Sequence, residues 1–223
     1  MKIFFDTEFI EDGRTIDLIS IGLVREDGAE LYLESLEGCA RLRELAGPEW
    51  EWLHKNVKPK LSGRLATVCG PRWWIADKVR EFAGESPEFW AYYADYDWVA
   101  LCQLYGRMID LPAGWPKYCR DLKQVAGNIK LPKQDPATEH HALEDARWTR
   151  EAYLWLAARP TVGAHLLERV RALMKRHNLK KDDLPGVINM SDARDVARKT
   201  LAGMKARAVL RDLLDELERG APS

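Results

Sequence analysis

Asp6 and Glu8 stand two residues apart, directly after the apolar run Ile3-Phe4-Phe5. That run reads as a β-strand, and side chains at i and i+2 share one strand face. Two like charges side by side are costly unless a cation sits between them. Hard divalent ions such as Mg²⁺ or Mn²⁺ take carboxylate oxygens and would relieve that cost. An acidic pair at a strand end also occurs merely solvated, so the pair gains meaning only with partners. Two later stretches supply them: Ala91-Tyr92-Tyr93-Ala94-Asp95-Tyr96-Asp97-Trp98 and His140-His141-Ala142-Leu143-Glu144-Asp145-Ala146. A strand-end pair and two further acids at helix starts can converge on two metal ions. Such a pair of ions holds attacking and leaving oxygens in line during phosphoryl transfer.

Asp6-x-Glu8, the Asp97 of Ala94-x-Tyr96-Asp97, and His140-x-Ala142-x-x-Asp145 together resemble the three motifs of DEDDh 3′–5′ exonucleases. Phe5–Gly13, Ile16–Gly22 and Tyr96–Leu104 are similar to one branch of that family, the actinobacterial RNase AS exoribonucleases that trim 3′ adenylate tails. The resemblance covers residues 1–158. It implies an RNase H-like fold, two divalent ions held by Asp6, Glu8, Asp97 and Asp145, and His140 as general base. It also implies Thr7 and Phe9 beside the terminal nucleotide, nucleoside 5′-monophosphate products and a homodimer. Histidine suits the base role because its ordinary pKa is near neutrality. His141 lies one position off the motif. On a helix it would point about 100° away from His140. Asp95 occupies a place where the wider family often has Asn, and a shifted register would make it the ligand instead of Asp97.

The 223 residues carry 46% hydrophobic side chains, enough for one sizeable core and an appendage. A net charge of −1 excludes a global positive field that would draw in nucleic acid. Metal ions could still supply positive charge locally. Residues 161–223 hold 13 Lys/Arg against 9 Asp/Glu, so the charge is uneven and the last part is basic. Cys39, Cys69, Cys102 and Cys119 form no C-x-x-C pair, which argues against a zinc ribbon and fits free thiols in a reducing cytoplasm. No signal peptide and no apolar stretch near 18 residues is found, so a cytoplasmic protein without a membrane span is expected.

The elements needed to position these residues read as follows. Strands are expected over 2–8, 16–25, 29–35, 88–93 and 118–122, with Glu26-Asp27-Gly28 as a tight turn. Helices are expected over 39–55, broken or restarted at Gly47-Pro48, and over 73–83, 97–105 and 141–158, with a shorter one ending near Gly127. Residues 56–72 read as a loop whose Lys55, Lys58, Lys60, Arg64 and Arg72 could guide phosphates. Trp50, Trp52, Trp73 and Trp74 read as core or interface residues. The fold class is α/β: a mixed five-stranded RNase H-like sheet with flanking helices, plus a helical appendage. The domains are 1–160 and 161–223, the second with helices over 162–177 and from the cap Ser191 to 219.

The function expected is metal-dependent 3′–5′ exonucleolysis at single-stranded RNA 3′ ends. Two rivals stay open: the same chemistry on DNA, and a non-catalytic nucleic-acid-binding protein. The motifs do not separate RNA from DNA, because that choice rests on the 2′-hydroxyl.

Overall fold

Ile3, Phe4 and Phe5 place apolar side chains on both sides of one strand, so helices must cover both faces. A computed structural model describes residues 1–62 and 68–159 and shows how. Strand β1 spans Lys2–Glu11. Its Ile3 and Phe5 face α3 (Arg72–Ala83) and α4 (Asp95–Tyr105) through Ile75, Val79 and Leu101. Phe4, of opposite parity, packs with Trp90, Leu122 and Ala152 of α6 (Ala142–Ala157). Phe5 meets Phe89 edge-on at 5.7 Å. Full burial of each such ring stabilises the fold by roughly 1.5–3 kcal/mol.

Antiparallel β2 (Ile16–Arg25) and β3 (Glu30–Ser35) follow β1, and β5 (Glu88–Ala91) pairs with β1 in parallel. Among the described residues the sheet order is β4-β3-β2-β1-β5-β6, with β4 at Cys69–Gly70 and β6 at Arg120–Asp121. This is the expected RNase H-like arrangement with one more strand than the five expected. The addition, β4, pairs in parallel with β3 through two residues that show no apolar alternation, inside a segment that reads as loop.

Other boundaries also moved. Ser35 accepts a hydrogen bond from the Gly38 N–H at 3.0 Å and caps α1 (Leu36–Glu44), so this helix starts earlier than residue 39. Gly47-Pro48 does interrupt the helical stretch: a 3₁₀ turn, Pro48–Trp50, leads into α2 (Glu51–Asn56). A short α5 (Leu122–Ala126) ends at Gly127 as expected. Trp50 and Trp74 pack against core clusters, but Trp52 and Trp73 are 51% and 67% exposed and do not belong to the core. The helices expected over 162–177 and 191–219, and the appendage as a whole, lie outside the described residues.

Two features position the site. β5 pairs with β1 only as far as Phe4, so the β1 edge beyond it is open to other partners. On the other side, Gly22 lies opposite Asp6 in the β1–β2 register. A Cβ at Gly22 would come within 2.3 Å of the Leu143 amide nitrogen and 2.4 Å of the Ala142 carbonyl. Only glycine lets the α6 N-terminus lie this close to the sheet. Gly22→Ala should therefore lift that end of α6 and lower stability by about 1–3 kcal/mol. Thermal melts would check it, and an unchanged melt would refute the close approach.

Candidate active site

Thr7 lies on the open edge of β1 and takes its partner from α4. Its backbone N–H and its hydroxyl both donate to Asp97 Oδ1, at 2.9 and 2.6 Å. A carboxylate thus satisfies a strand donor that no neighbouring strand reaches. Asp97 is buried, whereas Asp95 is exposed at the first position of α4. The helix begins at Asp95 rather than at Asp97, which puts both acids in its first turn. Asp6 and Glu8 lie within β1 rather than at its end, since the strand continues to Glu11. The pairing register shifts between Glu8 and Phe9, a bulge that re-aims the residues after the acidic pair.

Asp145 enters from the first turn of α6. Its Oδ2 accepts the His140 N–H at 2.9 Å, and its Oδ1 accepts from the Gln134 side-chain amide. Neither histidine is on the helix, contrary to the helical geometry expected for them. His140 precedes it in a left-handed conformation, φ 64°, and His141 is the N-cap. His141 Nδ1 accepts from the Glu144 N–H at 3.4 Å, and its ring stacks on Tyr32 at 4.6 Å. A cap and a stacking partner account for His141. His140, by contrast, shares a cluster with Glu8 and Asp145, with one ligand atom from each lying within 4.8 Å of the others.

Burial raises all four acids, and for three of them the charge of neighbouring acids adds to it. Burial, then the charges of Asp97, Glu8 and Asp145, hold the Asp6 carboxyl well above the usual range. Burial first, then Asp145 and Asp97, push Glu8 up to about 8. Burial raises Asp97 to about 6 against the pull of its Thr7 hydrogen bonds. Burial likewise raises Asp145. A set of clustered oxygen donors, each resisting ionisation, fits a hard divalent cation, which would favour all four charged forms at once.

The rim is aromatic on two sides. Phe9 is half-buried and meets exposed Tyr96 edge-on at 5.7 Å. Exposed Trp52 meets the His140 ring edge-on at 4.7 Å. Of the expected basic loop, Lys55, Lys58 and Arg72 are exposed, and Arg64 lies outside the described residues. Among the described residues of that loop, Lys60 is the one that acts on the acids: it is half-buried, donates to the Glu139 carbonyl, and its charge lowers the pKa of Glu8 and Asp145. Gln134, the Thr7–Asp97 bonds and Lys60 at the acids were not foreseen. None has a local motif, and Lys60 reads only as one lysine of a basic loop.

Residues 1–156 match the Rv2179c-like 3′-5′ exoribonuclease domain. The chain belongs to that family. It is 42% identical over 153 residues to 3′-5′ exoribonuclease Rv2179c of Mycobacterium tuberculosis strain H37Rv, a match covering 66% of this chain and 88% of the relative. The same figures hold for 3′-5′ exoribonuclease MT2234.1 of Mycobacterium tuberculosis strain CDC 1551. All five site residues fall inside the stretch the family spans, and membership makes the chain a nuclease by class. Among the described residues no helix is long and apolar enough to cross a membrane.

The raised Glu8 pKa has a signed consequence for stability. Ionisation of Glu8 opposes folding, so its contribution is present below its ordinary value of 4.5 and is lost as pH rises through about 8. In EDTA, Glu8→Gln should therefore melt above the wild type at about pH 9, and the gap should close toward about pH 5. A gap independent of pH would show that Glu8 carries no such penalty.

Proposed function

We propose that this chain is a DEDDh-class 3′–5′ exoribonuclease of the RNase AS kind. It would use two divalent ions, Mg²⁺ or Mn²⁺, to release nucleoside 5′-monophosphates from adenylate-rich 3′ ends of single-stranded RNA. The observation that carries this reading is the cluster of Glu8, His140 and Asp145, whose charges reach Asp6 and Asp97 as well. The exoribonuclease names of the family and of its mycobacterial members support RNA as substrate.

Asp6, Glu8, Asp97 and Asp145 would hold the ions. When bound, such ions neutralise the phosphate and lower the pKa of water. Thr7 fixes the Asp97 carboxylate through two hydrogen bonds. His140 takes the proton of the attacking water on a ring nitrogen. Phe9 and Tyr96 offer the terminal nucleotide an aromatic surface, where stacking is worth about 1–3 kcal/mol per base. We assign residues 1–160 to the catalytic domain. A homodimer belongs to the same reading, and exposed Trp73 and Ile109 are the kind of surface it would cover. Four free cysteines fit a reducing cytoplasm.

The test is cleavage of 5′-labelled oligo(A) beside oligo(dA), in Mg²⁺ or EDTA. A ladder shortening from the 3′ end, on RNA and only with metal, is the expected result. Comparable cleavage of oligo(dA) would move the chain to DNA processing, and no ladder on either strand would support a binding role. Asp97→Asn should abolish the ladder while leaving the melt cooperative. His140→Ala should slow turnover by about 10²–10⁴-fold. His141→Ala should cost about 1 kcal/mol of helix-cap stability with far less effect on rate. Equal losses of rate would reverse the roles of the two histidines.

A further inference from the structure

The base proposed above sits on a backbone that does not hold itself in place. His140 has φ 64°, a conformation that non-glycine residues keep only where their surroundings impose it. The Glu139–His140 peptide unit is gripped from both sides. Its N–H donates to Asp145 Oδ2, and its carbonyl accepts from Lys60 Nζ. Lys60 ends the 3₁₀ turn Lys58–Lys60, far from His140 in sequence. Trp52, whose ring meets the His140 ring edge-on, comes from the same stretch in α2. The Lys60 ammonium is further drawn to this spot by the carboxylates of Glu8 and Asp145.

We infer that Lys60 is a positioning residue that locks the Glu139–His140 peptide, so that the segment 51–60 sets where the His140 imidazole meets the acidic patch. This rests on His140 being the base. A lysine here could instead contact a substrate phosphate, and the two roles differ in what they change. A positioning role acts on turnover through His140. A phosphate contact acts on affinity, whatever residue occupies position 140.

The experiment uses the full Mg²⁺-loaded chain on oligo(A). Lys60→Met should lower kcat about 10–100-fold with KM within about 3-fold. Lys60→Arg, which keeps a charged donor, should retain most of the rate. In the His140→Ala background, Lys60→Met should cost less than about 3-fold, because the step it supports is already gone. A rise in KM, or equal losses in both backgrounds, would overturn the inference in favour of a phosphate contact. Proton NMR gives a readout independent of activity. The His140 Cε1–H, assigned by its loss in His140→Ala, should be one sharp resonance in the wild type and broadened or split in Lys60→Met. An unchanged resonance would overturn the positioning role. If the wild type fails to cleave RNA, the proposed function falls, and the NMR comparison still decides what Lys60 does.

Discussion

Four carboxylates gathered around the middle of β1 carry like charge, and burial makes their ionisation costlier still. Asp6, Glu8 and Asp97 resist ionisation for both reasons, and Asp145 resists it through burial. A fold does not gather such groups for its own stability, because each charged form is costly away from water. The cluster becomes favourable when cations share it, and two-ion phosphodiester hydrolysis places cations between such acids. The rest of the molecule can be understood as the framework that keeps these acids together.

That framework works by close approach at three points. The short β5 leaves an edge of β1 where Thr7 grips Asp97. Gly22 lets α6 descend onto the sheet, bringing Asp145 to the face that carries Asp6 and Glu8. The loop before α6 bends back so that the His140 amide meets Asp145, with Gln134 and Lys60 bracing it. The large apolar side chains Phe4, Phe5, Phe89 and Leu101 anchor the elements behind these contacts. Stability thus lies mainly in the core and chemistry at its margin, where polar groups are satisfied by one another.

Much of this was legible in the chain. Strand periodicity around Ile3–Phe5 and Ile16–Arg25, and the punctuation at Gly47-Pro48 and Gly127, gave the elements because those signals are local. The acids were legible because Asp6-x-Glu8 and His140-x-x-x-x-Asp145 keep fixed spacings. What the sequence did not show depends on distant partners. The strand β4 exists only because β3 offers it an edge. Nothing near Thr7 in the chain announces that Asp97, 90 positions away, takes its hydroxyl. His140 and His141 read as helical neighbours because nothing local announces a left-handed residue before the cap. Lys60 is one of several loop lysines until the fold places it against Glu139.

A divalent cation that relieves the repulsion among these acids is what the proposed chemistry requires. The most direct measurement is calorimetric titration of the metal-free protein with Mg²⁺ near pH 8, repeated in buffers of different ionisation enthalpy. Saturable binding with net proton release is the predicted result, since Glu8, with a pKa raised to about 8, gives up its proton as the ion enters. Absence of binding, or binding with no protons released, would contradict it.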